Sequence, residues 1–227
     1  MLLNILSRIF LAHIIADFPL QFDWIFRMKK KGFLGGVPHA SLHVLMIFLF
    51  LPDFWQYLLF YVYLLVILIL HALQDNTKIW LWKNGRPDNL WLFLSDQFFH
   101  IMVMFVIFLF SFTHYFNPSN PLLLSSSRLN FFLSFLFFVG FGSTVLIFYL
   151  ERTFLGISNE NLSEFEKRYG VLERLLIFGL VSVDLRFLAL APAFYLVRRM
   201  LNRQRVPAGA YSVMIAASLG VLFYFFY

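Results

Sequence analysis

Cysteine is absent from the 227 residues of this chain. That excludes disulfides, thiolate metal sites and cysteine nucleophiles, and says nothing about compartment. Charge is scarce too, at 13% of residues against 61% hydrophobic. A soluble domain of this size has too little interior to hide so much apolar surface, so the expected solvent is a bilayer. Windows of ~20 apolar residues, enough to cross ~30 Å of hydrocarbon, recur along the chain and leave no room for a separate soluble domain. The start, Met1-Leu2-Leu3-Asn4 with only Arg8 before the first motif, lacks the basic region and small-residue cleavage site of a secretory signal. It is expected to persist as the first membrane helix. Low-complexity linkers are missing as well.

What is present follows from that bilayer. The 32 phenylalanines are lipid-compatible side chains, and no cofactor role is assigned to them. The formal charge of +6 comes from basic residues clustered between apolar spans. It therefore reads as loop charge facing the cytoplasm, and no nucleic-acid partner is expected. The predicted fold is all-α, a polytopic integral membrane helical bundle forming one domain over 1–227. Helices are expected over 3–22, 38–51, 54–79, 90–112, 129–150, 171–197 and 208–226, giving six to seven membrane crossings. The first four (1–112) form one group and the C-terminal helices (129–227) another. Pro38 suits the first turn of the second helix, where its missing N–H costs nothing.

Loop charge sets the orientation. The first loop carries Arg27, Lys29, Lys30 and Lys31, and the third carries Lys78, Lys83 and Arg86. The second is only Pro52-Asp53, and the fourth has no Lys or Arg before Arg128. The positive-inside rule then places loops one and three in the cytoplasm and the N-terminus outside. Strict alternation would put Arg198, Arg199, Arg203 and Arg205 outside. A re-entrant hairpin turning near Ser182–Asp184 returns them to the cytoplasm; a local failure of the rule is the alternative. Residues 157–169 read as a polar connector, with a capping-box spacing at Ser163 and Glu166 and a helix end at Gly170. His114 reads as a surface residue.

Against this apolar background, five of the six histidines fall in four i,i+4 pairs: His13/Asp17, His39/His43, His71/Asp75 and Asp96/His100. Positions four apart project from one helix face, one turn above the other. Composition alone would yield about half a His–Asp or His–His pair at this spacing. The charge-based topology puts all four at similar depth in the cytoplasmic half. A lone pair of this kind is commonly an interhelical polar clasp. Three contain an aspartate, however, and an ionised aspartate at helix depth costs ~2.5–3.5 kcal/mol or more. A divalent cation compensates several carboxylates at once and holds imidazoles neutral, as ligands. Metal ligands are therefore expected among His13, Asp17, His39, His43, His71, Asp75, Asp96 and His100. Mixed His/Asp donors suit zinc, as one or two ions, better than magnesium.

Surplus carboxylates point to catalysis: Asp17 and Asp75 are candidates for general-base work, and Asp96 divides between ligation and that role. Lys78 shares a stripe with His71 and Asp75 and either stabilises an oxyanion or phosphate or snorkels to the interface. Gln21, Gln74 and Gln97 adjoin the pairs as hydrogen-bond donors. Glu173 and Arg174 are expected near the interface, where charge is cheap. Asp184 and Arg186 lie deeper, as a local pair in a turn or a headgroup clamp.

The runs His13-xxx-Asp17-Phe18-Pro19-Leu20-Gln21, His39-xxx-His43, His71-xxx-Asp75-xx-Lys78 and Asp96-Gln97-xx-His100 resemble, in that order, a bacterial family of polytopic membrane proteins classed as domain of unknown function 3307. Gly170-x-Leu172-Glu173-Arg174 resembles its C-terminal element. More distantly the pattern is similar to inner-membrane proteins described as metal-dependent hydrolases. By its site alone it is similar to the zinc amidases of the alkaline ceramidase and adiponectin-receptor kind, although it has more carboxylates and pairs on every helix. The resemblance implies a bacterial cytoplasmic-membrane location. The reading is a metal-dependent hydrolase acting on a lipid or membrane-soluble ester, amide or phosphoester. A metal-ion or proton transporter ranks second, because the outer halves of the first four helices are nearly all Leu, Ile, Val and Phe. A non-catalytic protein with a structural metal ranks third.

Overall fold

The computed structural model describes residues 2–112, 126–156, 164–201 and 206–226, which are all-α with no strand among them. They fall into two units, Met1–Ser134 and Phe135–Tyr227. In the first, α1 (Leu2–Asp17), α3 (Phe33–Phe50), α4 (Leu58–Lys83) and α5 (Leu90–Phe112) pack in a closed ring: α1 on α3, α3 on α4, α4 on α5 and α5 on α1. A short helix, α2 (Asp23–Lys29), lies against α3.

Short connections make α3, α4 and α5 alternate in direction, so each end of the bundle has its own chemistry. One end is dry. Ile5, Ile9 and Ala12, at helical spacing on α1, pack with Ile47 and Leu51 of α3, Phe60 to Ile67 of α4, and Met104 and Phe108 of α5. The other end takes the last turn of α1, the first turns of α3, the second half of α4 and the first half of α5. That end holds the four pairs.

The helix limits depart from the periodicity in instructive places. α1 stops at Asp17 rather than Phe22, because the chain turns through Phe18, Pro19 and Leu20 before α2 begins. α3 begins at Phe33, so Pro38 lies inside the helix rather than in its first turn. The earlier start brings Gly35 against the end of α2. A Cβ there would sit 2.0 Å from the Met28 carbonyl oxygen. Pro52–Phe54 forms a 3-10 turn, which delays α4 to Leu58. α5 has the expected limits, and the Asn89 side chain accepts from the Leu92 N–H at 3.0 Å.

The dry end also carries polar contacts that the apolar pattern hides. Arg8, 2% exposed, donates to Asp53 Oδ2 at 2.5 Å and to the Phe50 carbonyl at 3.2 Å, tying α1 to the turn after α3. Asn130 Nδ2 donates to Ser7 Oγ at 3.0 Å.

α6 (Ser127–Phe137) runs through a π turn at Phe138–Gly142 into α7 (Ser143–Phe154). In the second unit, α8 (Glu164–Val183) passes straight through Gly170, where a helix end was expected, because α-helical hydrogen bonding tolerates an isolated glycine. It breaks at Asp184, whose backbone is extended and whose side chain accepts from the Arg186 N–H at 2.8 Å. A 3-10 segment (Leu185–Leu190) leads into α9 (Ala191–Leu201), and Arg198 reaches back to Glu173 on α8. The chain thus turns back on itself at Asp184. α10 (Val206–Phe226) packs on α8, α9 and α7. Residues 157–163, His114, Arg203 and Arg205 lie outside the described residues.

Among the described residues, four helices are long and apolar enough to cross a membrane: Leu58–Lys83, Leu90–Phe110, Ser127–Phe154 and Ala208–Phe226. A shorter apolar helix covers Leu34–Phe50. Such helices fit a lipid bilayer as their surroundings.

Candidate metal centre

Each i,i+4 pair presents both members from one helix face, and the ring of helices turns all four faces inward. His13, His39 and His43 are fully buried; Asp17, His71, Asp75 and His100 are at most 5% exposed. Two overlapping groups have donor atoms close enough to hold a metal ion, Asp17/His39/His43/His71 and His71/Asp75/His100.

In the first group, Asp17 Oδ1 lies 3.0 Å from His39 Nε2 and 3.5 Å from His43 Nε2, and those nitrogens are 3.3 Å apart. In the second, His100 Nδ1 and His71 Nδ1 face each other at 3.0 Å. Asp75 lies 3.6 Å from His100 Nε2 through Oδ1 and 3.7 Å from His71 Nε2 through Oδ2. The rings of His43, His71 and His100 pack one against the next, tilted by 34° and 42°, with centroids 3.8 and 4.0 Å apart.

Hydrogen bonding does not close this set. His39 Nδ1, His43 Nδ1, His71 Nε2 and Asp75 Oδ2 are buried and have no hydrogen-bond partner. Buried polar atoms are nearly always paired, so several orphans in one cluster need an explanation. Like nitrogens also face each other twice, and each such contact is met either by one ring donating its N–H to the other or by a cation between them. The buried cluster could hold a metal ion.

His13 and Asp96 stand outside both groups. His13 Nε2 is 3.3 Å from Gln97 Oε1, and the Gln97 amide donates to Asp17 Oδ2 at 2.5 Å. Gln97 therefore fixes the carboxylate oxygen that faces away from His39. Asp96 accepts from His100 Nε2 at 3.0 Å through one oxygen and from Lys78 at 2.8 Å through the other. It orients an imidazole, and Lys78 neutralises it. Gln74 instead donates to the Phe99 carbonyl on an exposed surface.

Lys29 was not foreseen. Its ammonium lies 2.8 Å from Asp75 Oδ1, with the side chain 12% exposed. In sequence it is one of three consecutive lysines, and Gly35 is the only hint of its position, through the close approach of α3 to α2.

In the second unit, Glu173 and Arg174 are buried, at 3% and 1% exposed. The reason is the π turn. Arg174 donates to the carbonyls of Val139 and Gly140, both at 2.9 Å, and to Thr144 Oγ1. Arg198 bonds Glu173 and Ser212. Arg186 and Asp184 are the exposed pair, with side chains 94% and 44% exposed.

No curated protein and no solved structure matches the chain. Residues 5–127, which carry all four pairs but not the Gly170 to Arg174 element, match the family described as Protein of unknown function (DUF3307). That match spans more than half of the sequence, and the chain belongs to this family.

Proposed function

We propose that the protein is a metal-dependent membrane hydrolase whose centre lies in the cytoplasmic half of a bacterial inner membrane. The observation that carries the reading is the donor triangle of Asp17, His39 and His43, with edges of 3.0, 3.3 and 3.5 Å. Ligands 2.0–2.1 Å from a tetrahedral zinc ion stand about 3.3–3.4 Å apart, so the triangle has the size of one face of such a site. Asp17, His39, His43 and His71 would hold the ion. Bound there, zinc supplies Lewis-acid polarisation and activation of water near neutral pH.

The chain's own residues complete the machinery. Asp75, whose Oδ2 has no hydrogen-bond partner, is the candidate general base. Lys78 and Lys29 place positive charge beside Asp96 and Asp75, where an anionic or oxyanion-bearing substrate would gain from it. Four exposed tryptophans, Trp24, Trp80, Trp82 and Trp91, ring the histidine end, as expected at a membrane–water interface. With the basic loops inside and the N-terminus outside, Asp75 lies five residues, about 7.5 Å of helix, below Trp80. A site at that depth is reached laterally, which favours a lipid or membrane-soluble ester, amide or phosphoester. Transport would need a polar route through the opposite end, and Ile9, Ile47, Ile67, Met104 and Phe108 fill the interior there.

The test is metal content of protein purified in detergent without chelators, wild type beside His43→Ala. At least one equivalent of zinc or a similar ion in wild type, lost in the variant, supports the reading and directs a lipid-hydrolase screen. Wild type without stoichiometric metal overturns it.

A further inference from the structure

The two donor groups meet at His71 but differ in how their carboxylates are compensated. Among the described residues, Asp17 is met by imidazoles and the Gln97 amide, with no lysine or arginine ion pair. Asp75 already carries a cation, the Lys29 ammonium at 2.8 Å. A carboxylate already balanced by an ammonium gains less from a divalent ion than a bare one, so lysine and metal compete for it.

The Lys29 contact does not close the second group. Asp75 Oδ2 and His71 Nε2 remain without hydrogen bonds, 3.7 Å apart, on residues each 2% exposed. His100 Nε2 stands 3.6 Å from Asp75 Oδ1, the same oxygen that Lys29 holds. Lys29 therefore occupies one side of a three-residue donor set of the right composition for a divalent ion.

Its own element is short: α2 has seven residues, and Gly32, with φ of +111°, follows the lysine run. Lys29 enters from the edge, and its neighbour Lys30 is held outside, against the Phe26 and Trp82 rings.

We infer that the centre has two unequal cation positions sharing His71: a resident one at Asp17, His39 and His43, and an exchangeable one at Asp75 and His100 that the Lys29 ammonium fills until a divalent ion displaces it. The inference rests on the metal-binding reading above and adds a second, internally regulated site.

Equilibrium dialysis of the full-length protein in detergent against cobalt(II) tests it. Wild type should keep one equivalent in metal-free buffer and take a second only with free cobalt present. Lys29→Met should tighten the second equivalent about tenfold or more, the scale of a typical coupling between two sites. Lys29→Arg, which keeps a cation, should behave as wild type, and Asp75→Asn should lose the second equivalent while keeping the first. If Lys29→Met does not fold, Lys29→Gln carries the same expectation. One equivalent at saturation in both wild type and the Lys29 variant overturns the inference while leaving the metal reading intact. An unchanged second affinity in Lys29→Met overturns the competition. No equivalent in wild type removes the metal reading itself.

Discussion

Two clusters of buried charge, one in each unit, differ in how they are closed. Glu173, Arg174, Arg198 and Ser212 pair opposite charges directly and direct Arg174 at two carbonyls that the π turn releases. Every guanidinium there has an acceptor, although Glu173 Oε1 makes no hydrogen bond. The His/Asp cluster has the opposite character: imidazole nitrogens face imidazole nitrogens, and four donor or acceptor atoms point at nothing. Burial of charge alone does not distinguish a structural clasp from a binding centre. The chemistry of the facing atoms does: opposite charges close directly on each other in one cluster, whereas imidazoles and carboxylates turned toward one another in the other make up the donor set of a metal site.

The largest expected effect separates the clusters by metal content. Asp17→Ala removes the carboxylate at the apex of the donor triangle. The loss in metal affinity should exceed the 10–100-fold typical of residues that only orient a ligand. Arg174→Ala should leave metal content unchanged, because it touches none of the donor atoms. Its effect falls on stability instead. Removing one side of a buried charged network costs about 3–5 kcal/mol, read as a lowered unfolding midpoint in detergent. If Arg174→Ala lost metal without losing stability, the division between the two clusters would collapse.

The helix pattern and the four pairs were legible because both rest on period: 3.6 residues per turn places i and i+4 together wherever the helix runs. Convergence of the pairs at one end of the bundle followed from alternating loop charge. Three things were not legible, for one reason. Lys29, the Arg8–Asp53 pair and the burial of Glu173 and Arg174 all depend on contacts across 25 to 46 residues of sequence, and no local spacing encodes those. Gly35 and the glycines at 140 and 142 mark where such contacts form, because close backbone approach and a π turn both favour a missing Cβ. They do not name the partner.

A smaller effect tests the boundary of the centre. Gln97 bridges His13 to Asp17 without belonging to either donor group. Gln97→Leu keeps the volume and removes the amide that fixes Asp17 Oδ2. Metal affinity should fall by about 10–100-fold, while stoichiometry at saturation stays at the wild-type value. A reduced stoichiometry would make Gln97 part of the coordination sphere.

The smallest effect is expected at Arg186, and it sharpens the comparison by what it leaves untouched. Asp184 and Arg186 looked in sequence like charge placed deeper in the membrane than Glu173 and Arg174. In the structure the guanidinium is 94% exposed and 4.0 Å from Asp184, while the turn itself is held by the Asp184 carboxylate accepting the Arg186 backbone N–H. A substitution that keeps the backbone keeps that bond. Arg186→Ala should therefore leave both metal content and unfolding midpoint at wild-type values, since an exposed ion pair contributes little. Asp184→Ala removes the acceptor at the break between α8 and the 3-10 segment and should lower the midpoint by the amount a helix cap contributes, about 1 kcal/mol. A larger loss from Arg186→Ala than from Asp184→Ala would mean that the side chain, rather than the turn, anchors this hairpin.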